Sequence, residues 1–395
     1  MSGAAVQGST DHVQGAVALA PPFGRVMLAK PSHLGDLIIS LPMAAALKRR
    51  DPGCTVVFLT SAGTAEVARC CPAVDEVLAI PTNGATLPAL LASLDLQAFV
   101  QVNSWPLLAA AAHRARVPVR IGSMYRLYNW VRCTHLVSIA RAARCLNKRE
   151  LDLQLLAPFG VSVPDHDTIA ADGRLHPPDW GAHASASLLP RQLARGRRSI
   201  VLSAASVTAA SHCWPWQAYV SLLERLGSGY HWSICGVAAD REQLQPLLRS
   251  LDAAPNVTDL VGKLSLRDFM CFVAASDGLI GGSSGPVHLA AALGVRTLGL
   301  YQSRPADVHR WRPLGEHTAV LHSHVPCQGE RRSKRAPQTC PCIAAIDTAD
   351  VAAHVSNWFA EARAGPAVTV AGAGAAAMNT AGTRHGIGGH TQGAM

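Results

Sequence analysis

Arg25-Val-Met-Leu-Ala-Lys-Pro-Ser-His-Leu-Gly-Asp36 is the stretch on which the fold turns. Arg25 to Ala29 is an apolar run of strand length, and Lys30 to Gly35 is a loop. An amphipathic helix is expected from Asp36 to about Arg50, where Asp51-Pro-Gly breaks it. A buried strand feeding a loop and then a helix opens a parallel α/β sheet. The loop then lies at the carboxyl edge, where such sheets bind ligands.

Working outward, Thr55–Thr60, Glu76–Ile80 and Ala98–Val102 read as further strands, with a short helix at Ala65–Cys70. Residues 161 to 198 are punctuated by Pro164, Pro177, Pro178 and Pro190 and read as an irregular connection. The alternation then restarts with strands at Ser199–Ser203, His231–Cys235, Gly278–Ile280 and Thr297–Tyr301. Helices are expected at Trp216–Leu226, Arg241–Ser250, Leu266–Ala275 and Pro286–Leu293. The pattern is that of two doubly wound domains facing a cleft. The expected organisation is a disordered tail over 1–22, a first domain over 23–175, a linker over 176–198 and a second domain over 199–345. A C-terminal helix over 346–364 and a second Gly/Ala-rich disordered tail over 365–395 follow.

The 395 residues are 49% hydrophobic and 15% charged, a globular composition long enough for two cores. No apolar run reaches the length of a membrane span, and no basic region precedes the short apolar stretch Ala16–Phe23, so neither a transmembrane helix nor a secretory signal is expected. The eleven cysteines are scattered without a framework spacing, which reads as reduced thiols in a cytoplasmic protein. A net charge of +9 suits an anionic partner, whether nucleic acid, phosphosugar or membrane surface.

Three segments carry candidate chemistry. Asp36 reads either as a helix N-cap or as a carboxylate projected into the cleft, with Gly35 permitting close backbone approach. Gly281-Gly-Ser-Ser-Gly-Pro-Val-His-Leu-Ala-Ala-Ala-Leu-Gly294 is a strand end, a small-residue turn and a helix. The free amides of Ser284 and Gly285 and the positive helix end form an anion site suited to a diphosphate, with His288 in the first turn. The alternative is a Gly-rich junction with a core histidine. The segment is neither a Walker A loop nor a G-x-G-x-x-G fingerprint. In Ser211-His-Cys-Trp-Pro-Trp216 the Trp-Pro pair is structural, and His212 is placed to face the cleft.

Together these segments resemble glycosyltransferase family 9, the ADP-heptose:lipopolysaccharide heptosyltransferases. The resemblance runs from about Gly24 to Ala362 and rests on Ser32-His-Leu-Gly-Asp36, Cys71-Pro-Ala-Val-Asp-Glu-Val77, Trp214-Pro215, Leu260-Val-Gly-Lys-Leu-Ser-Leu266, Ser284-Gly-Pro-Val-His288 and Cys340-Pro-Cys342 in that order. It implies the GT-B fold and metal-independent, inverting transfer of heptose from an ADP-heptose donor to a lipid A/Kdo inner-core acceptor in lipopolysaccharide biosynthesis. Asp36 would be the general base and no cofactor would be required. The implied partners are the ADP-sugar and a lipid-linked anionic glycan, met in transient association with the cytoplasmic face of the inner membrane, and not nucleic acid. The donor site would hold Thr208, His212, Asp240, Ser283, Ser284, Gly285 and His288, and the acceptor site Lys30 and Arg120. For Lys30, Thr208 and Asp240 the plainer readings are a solvated loop charge, an ordinary loop threonine and a helix N-terminal carboxylate.

Two positions depart from the family pattern. Ser283 stands where relatives carry a sugar-binding aspartate, and His212 stands where many carry a phosphate-binding lysine. A noncatalytic nucleotide-sugar or glycolipid binding protein of the same fold is therefore the competing reading, as is a transferase for another sugar or a protein acceptor. Cys327, Cys340 and Cys342 lack the usual zinc spacing, and no metal is expected. Asp165-His-Asp167 reads as coincidence with a metal-binding Asp-x-Asp. The basic run Arg331–Arg335 lacks interleaved aromatics. Arg114, Arg116, Arg120, Arg126 and Arg132 read equally as acceptor contacts and as solvated surface.

Overall fold

The computed structural model describes residues 13–14, 19–139, 146–177, 184–205, 213–327 and 339–360. Thr208, His212, the run Arg331–Arg335 and nearly all of the two tails lie outside the described residues.

Two sheets organise the chain. The first contains β1 (Val13–Gln14), β2 (Arg25–Ala29), β3 (Thr55–Thr60), β4 (Glu76–Ala79), β5 (Ala98–Gln101), β6 (Val119–Ser123) and β7 (His135–Val137), in the order β1-β7-β6-β5-β2-β3-β4. The second contains β8 (Arg198–Ser203), β9 (Tyr230–Ile234), β10 (Val257–Asp259), β11 (Gly278–Gly282), β12 (Arg296–Leu300) and β13 (Thr318–Leu321), in the order β10-β9-β8-β11-β12-β13. Every pairing is parallel except that of β1 with β7. Counted from its own first parallel strand, each half has the doubly wound order 3-2-1-4-5-6. The switch points, where strand order reverses, fall between β2 and β5 and between β8 and β11.

The central strands are buried along their length because helices cover both faces, which is why they read as unbroken apolar runs. Met27, Leu59 and Phe99 pack on one face of the first sheet, and Val26, Leu28 and Phe58 on the other. Ile200, Trp232 and Ile280 fill one face of the second sheet, and Val201, Phe272 and Leu279 the other. Trp214 lies buried, its Nε1 donating to the Ile346 carbonyl at 3.2 Å, so the Trp-Pro segment anchors the C-terminal Thr348–Ala360 helix region to the second half.

The expected helix from Asp36 to Arg50 is two, Leu34–Ser40 and Pro42–Arg50, because proline at 42 has no N–H to continue the first ladder. The stretch 161–198 holds two helices, His166–Asp172 and Ala184–Ala194. Asp165 caps the former, accepting from the Thr168 amide at 2.7 Å, which accounts for Asp165-His-Asp167 without a metal. Within 1–22, Val13–Gln14 pairs as an edge strand and the Leu19 amide donates to the Pro158 carbonyl at 2.8 Å. No helix among the described residues is long and apolar enough to cross a membrane.

The halves meet across a packed junction. Met270, Leu289, Ala292 and Leu314 of the second join the core of the first. The Leu175 amide donates to the Ala292 carbonyl at 2.9 Å, and Arg267 forms an ion pair with Glu66.

Candidate active site at the facing switch points

The loop after β2 leads into the Leu34–Ser40 helix, and the turn after β11 leads into the Gly285–Ala292 helix. Their amino ends touch. A Cβ on Gly35 would stand 3.3 Å from Gly285 Cα and 3.3 Å from His288 Cδ2, and a Cβ on Gly285 only 3.0 Å from Leu34 Cβ. Two glycines thus let the two switch points meet backbone to backbone.

Asp36 is the third residue of its helix. The cap position is His33, without a side-chain bond, and the Asp36 carboxylate has no hydrogen-bond partner or ion pair among the described residues. Asp36 is therefore not the helix N-cap. Its charge acts on Lys148, which opens the Lys148–Leu153 helix.

Lys148 and Lys30 both pair with Asp152, Lys30 Nζ at 3.6 Å, and Ser40 Oγ donates to Asp152 Oδ2 at 3.0 Å. Burial alone would raise the Asp152 pKa, but the two lysines and Ser40 outweigh it and hold the carboxyl below its usual range. Lys30 is only 3% exposed, so the solvated-charge reading fails. It opens the loop that leads to Asp36.

The second switch point is built from donors. Ser284 is the helix N-cap, but its hydroxyl caps nothing and is buried without a partner, as is His288 Nδ1. Burial, reinforced by Arg149, pushes the His288 pKa down to about 3, so the ring is neutral at pH 7. The Ser283 hydroxyl is engaged with Tyr301, whose own hydroxyl donates to the Trp311 carbonyl at 2.9 Å.

Arg149 is the residue that sequence reasoning missed. It is 2% exposed, and its guanidinium has neither a hydrogen-bond acceptor nor a carboxylate partner among the described residues, with Nε and Nη1 wholly enclosed. Its charge acts on His288 and on Tyr301. Burying an unpaired ion costs on the order of several kcal/mol. Burial lowers its pKa to about 10, which leaves it charged at neutral pH. The backbone holding it is locked by Asn147, which caps the helix in a capping box with Glu150. Asn147 Nδ2 also donates to the carbonyls of His309 and Arg312 in the second half, each at 3.1 Å. The Asn147-Lys-Arg-Glu150 spacing was the available signal for this helix start.

The remaining expected residues are distributed as follows. Asp240 follows β9 at the carboxyl edge of the second sheet, and its Oδ2 accepts from the Val237 amide at 2.9 Å, the plainer of its two readings. Arg120 sits near the amino end of β6, its guanidinium donating to the carbonyls of Arg132 and Val117, and the structure does not bring it to the Asp36 loop. Among the described residues, Cys327, Cys340 and Cys342 bring three sulfurs within 4.8 Å of one another, where a closed structural zinc site takes four ligands. A cavity of about 980 Å³ opens between the His166–Asp172 helix, Ala291, the Pro305–Trp311 helix and β13, but it contains neither Asp36 nor the Ser283–His288 turn.

Residues 172–339 match the model of glycosyltransferase family 9 (heptosyltransferase). A Haemophilus influenzae protein described as "Putative glycosyltransferase" is 23% identical over 312 residues, covering 74% of this chain and 86% of the relative. Among solved structures, Escherichia coli ADP-heptose lps heptosyltransferase II superposes with a TM-score of 0.70 at 18% identity, covering 86% of this chain and all of that one. E. coli heptosyltransferase WaaC with ADP superposes with a TM-score of 0.64 at 17% identity, over 85% of this chain and 99% of that one. The two-sheet architecture is the GT-B fold. Residues 172–339 thus match the glycosyltransferase family 9 (heptosyltransferase) model, within a chain whose two-domain architecture is the GT-B fold of the heptosyltransferase structures.

Proposed function

We propose that the protein is an inverting glycosyltransferase that moves heptose from ADP-heptose to a lipid A/Kdo inner-core acceptor. The observation that carries this reading is the facing of an unpartnered carboxylate, Asp36, and the amino end of the Gly285–Ala292 helix across two switch points. Inversion at an anomeric carbon needs a base on one face and stabilised departure of the diphosphate on the other. Asp36 takes the acceptor hydroxyl proton as that oxygen bonds to the anomeric carbon. The breaking bond leaves its electron pair on the diphosphate oxygen, which meets the Ser284 and Gly285 amides, the Ser284 hydroxyl and the positive helix end. These donors supply charge stabilisation without a metal or cofactor. Asp240, in the turn that follows β9, is the candidate for contact with the nucleoside.

The acceptor side favours a lipid-linked substrate. Six of the large exposed apolar side chains fall in two neighbouring segments, Trp105 and Leu107 after β5, and Tyr125, Leu127, Trp130 and Val131 after β6. Leu127 is 87% and Val131 74% exposed, and Arg126 and Arg132 flank them. Tyr128 donates to the Ser104 carbonyl, and Asn103 Nδ2 donates to the Pro31 carbonyl at 2.9 Å, so the patch adjoins the Asp36 loop. Exposed aromatics beside arginines suit the anionic cytoplasmic face of a membrane and support the reading of a cytoplasmic, peripheral enzyme.

The test is incubation of the purified protein with ADP-heptose and a set of truncated lipid A cores in chelator-containing buffer, read by mass shift. A heptose increment with the wild type, reduced at least 100-fold in Asp36→Asn while ADP-heptose binding survives, is the expected result. Tight donor binding with no product on any lipid or protein acceptor would instead mark a noncatalytic binding protein.

A further inference from the structure

We infer that Arg149, a residue of the first half, is the permanent cation that receives the diphosphate of the donor, completing from across the junction the anion site begun by the Gly285–Ala292 helix. The inference rests on the nucleotide-sugar reading above and adds to it the residue that discriminates nucleoside diphosphate from nucleoside.

Four buried donor groups without partners converge here: Nε and Nη1 of Arg149, Nδ1 of His288 and the Ser284 hydroxyl. All are donors or can become donors, and among the described residues no carboxylate pairs with the guanidinium. A cluster of that sign, enclosed and unsatisfied, is complementary to an anion rich in acceptor oxygens. The helix beside it has eight residues and presents free amides at Ser284 and Gly285. His288 cannot be the cation, because burial and Arg149 itself keep it neutral. Lys148 and Lys30 are committed to Asp152. Among the described residues, Arg149 alone brings an unshared positive charge to this turn.

The same geometry gives Ser283 a meaning. Its hydroxyl bonds to Tyr301, and Tyr301 feels the Arg149 charge. An aspartate at 283 would set a carboxylate against Tyr301, on which the Arg149 charge acts, and would offset that charge. Serine leaves the charge free for the ligand, and it does so in a chain that also has histidine rather than lysine at 212. With no fixed charge at 283 or at 212, Arg149 is left as the cation for the phosphates.

The test is calorimetric binding of ADP and of adenosine to the full-length wild type and to Arg149→Gln, with apo melting temperatures measured alongside. The wild type is expected to prefer ADP over adenosine. Arg149→Gln should lose about 10- to 100-fold of ADP affinity, as deletion of a charged hydrogen-bonding partner does, with adenosine affinity unchanged. Its apo melting temperature should rise, because an unpaired buried charge is gone. A residue serving only to pack the helix would lower the melting temperature and weaken both ligands together. ADP binding equal in wild type and Arg149→Gln overturns the assignment while leaving the nucleotide-sugar reading standing. A wild type that binds neither ADP nor adenosine overturns both. Should Arg149→Gln not fold, Ser283→Asp is the second variant: it is expected to raise the apo melting temperature and cut ADP affinity toward that of adenosine, and no rise in melting temperature refutes the proximity of the two groups.

Discussion

Replacing Gly285 with alanine sets a methyl group 3.0 Å from Leu34 Cβ, 3.2 Å from Leu34 Cδ2 and 3.2 Å from the Gly35 amide nitrogen. Ordinary carbon contacts lie at about 3.5–4.0 Å, so the amino ends of the two helices must separate by roughly 0.5 Å or more. The nearest obstacles are a backbone nitrogen and a Cβ, neither of which swings aside as a side-chain tip does. Holding the closed contact against such overpacking costs about 1–3 kcal/mol. Opening the junction relieves it. If transfer requires the carboxylate and the anion site to be as close as the Gly35–Gly285 contact sets them, that cost appears in kcat/KM as a loss of about 5- to 150-fold. Stability should move little, because strain is relieved by separation and alanine suits a helix better than glycine. The assay is steady-state transfer together with calorimetric melting of wild type, Gly285→Ala and Gly63→Ala. Nothing lies within 4 Å of a Cβ at Gly63, so that variant controls for the backbone change. Gly35→Ala, at 3.3 Å from its nearest neighbours, should show the same effect more weakly. A Gly285→Ala enzyme with wild-type kcat/KM would show that the observed closure is not the reactive one.

His288 gives a stability prediction with a definite sign. Its folded pKa of about 3 lies below the ordinary value of 6.5. The unfolded chain therefore binds a proton that the folded one refuses, and the contribution of a neutral His288, complete above pH 6.5, is lost as the pH falls toward 3, at up to about 1.4 kcal/mol per pH unit. Urea denaturation at pH 7, 6 and 5 should show a shallower fall for His288→Gln than for wild type, whereas parallel curves would mean the ring is not shielded. For the acceptor face, Leu127→Glu combined with Val131→Glu should reduce sedimentation with phosphatidylglycerol vesicles about tenfold or more, given about 1.5–3 kcal/mol for each fully buried side chain of this type. Transfer to a soluble truncated acceptor should be preserved, and unchanged vesicle binding would detach the patch from the membrane.

What could be read from the sequence followed burial. Arg25–Ala29 and Thr55–Thr60 match their strands residue for residue, because a strand covered on both faces is an apolar run with breakers at each end. Val257–Asp259 and Thr318–Leu321 are edge strands of three and four half-buried residues, too short and mixed to stand out. Pro190 lies inside the Ala184–Ala194 helix, so a proline taken as punctuation was tolerated, and the supposed connector holds a helix packed against the second half. In the site, Asp36 and the Ser283–His288 turn were visible because each follows a strand end. Arg149 was not. A lysine, an arginine and a glutamate in succession describe a solvated helix start as well as they describe this one. Only the tertiary packing that encloses the guanidinium distinguishes them.

That enclosure bears on how the two halves depend on each other. Successive residues of a helix point about 100° apart, and here Lys148 points to the Asp152 and Asp36 side while Arg149 acts on His288 and Tyr301. One short helix, fixed to the second half through Asn147, therefore bears on both partners of the proposed reaction. Neither half holds a complete set of groups: the carboxylate and the cation come from the first, the amides and the hydroxyl from the second. On the proposed reading, an anion at the junction would offset the unpaired charge of Arg149 while meeting the amides of the second half, so donor binding would draw on both halves at once. A donor without its diphosphate would then fail twice, in affinity and in holding the base against the reacting carbon.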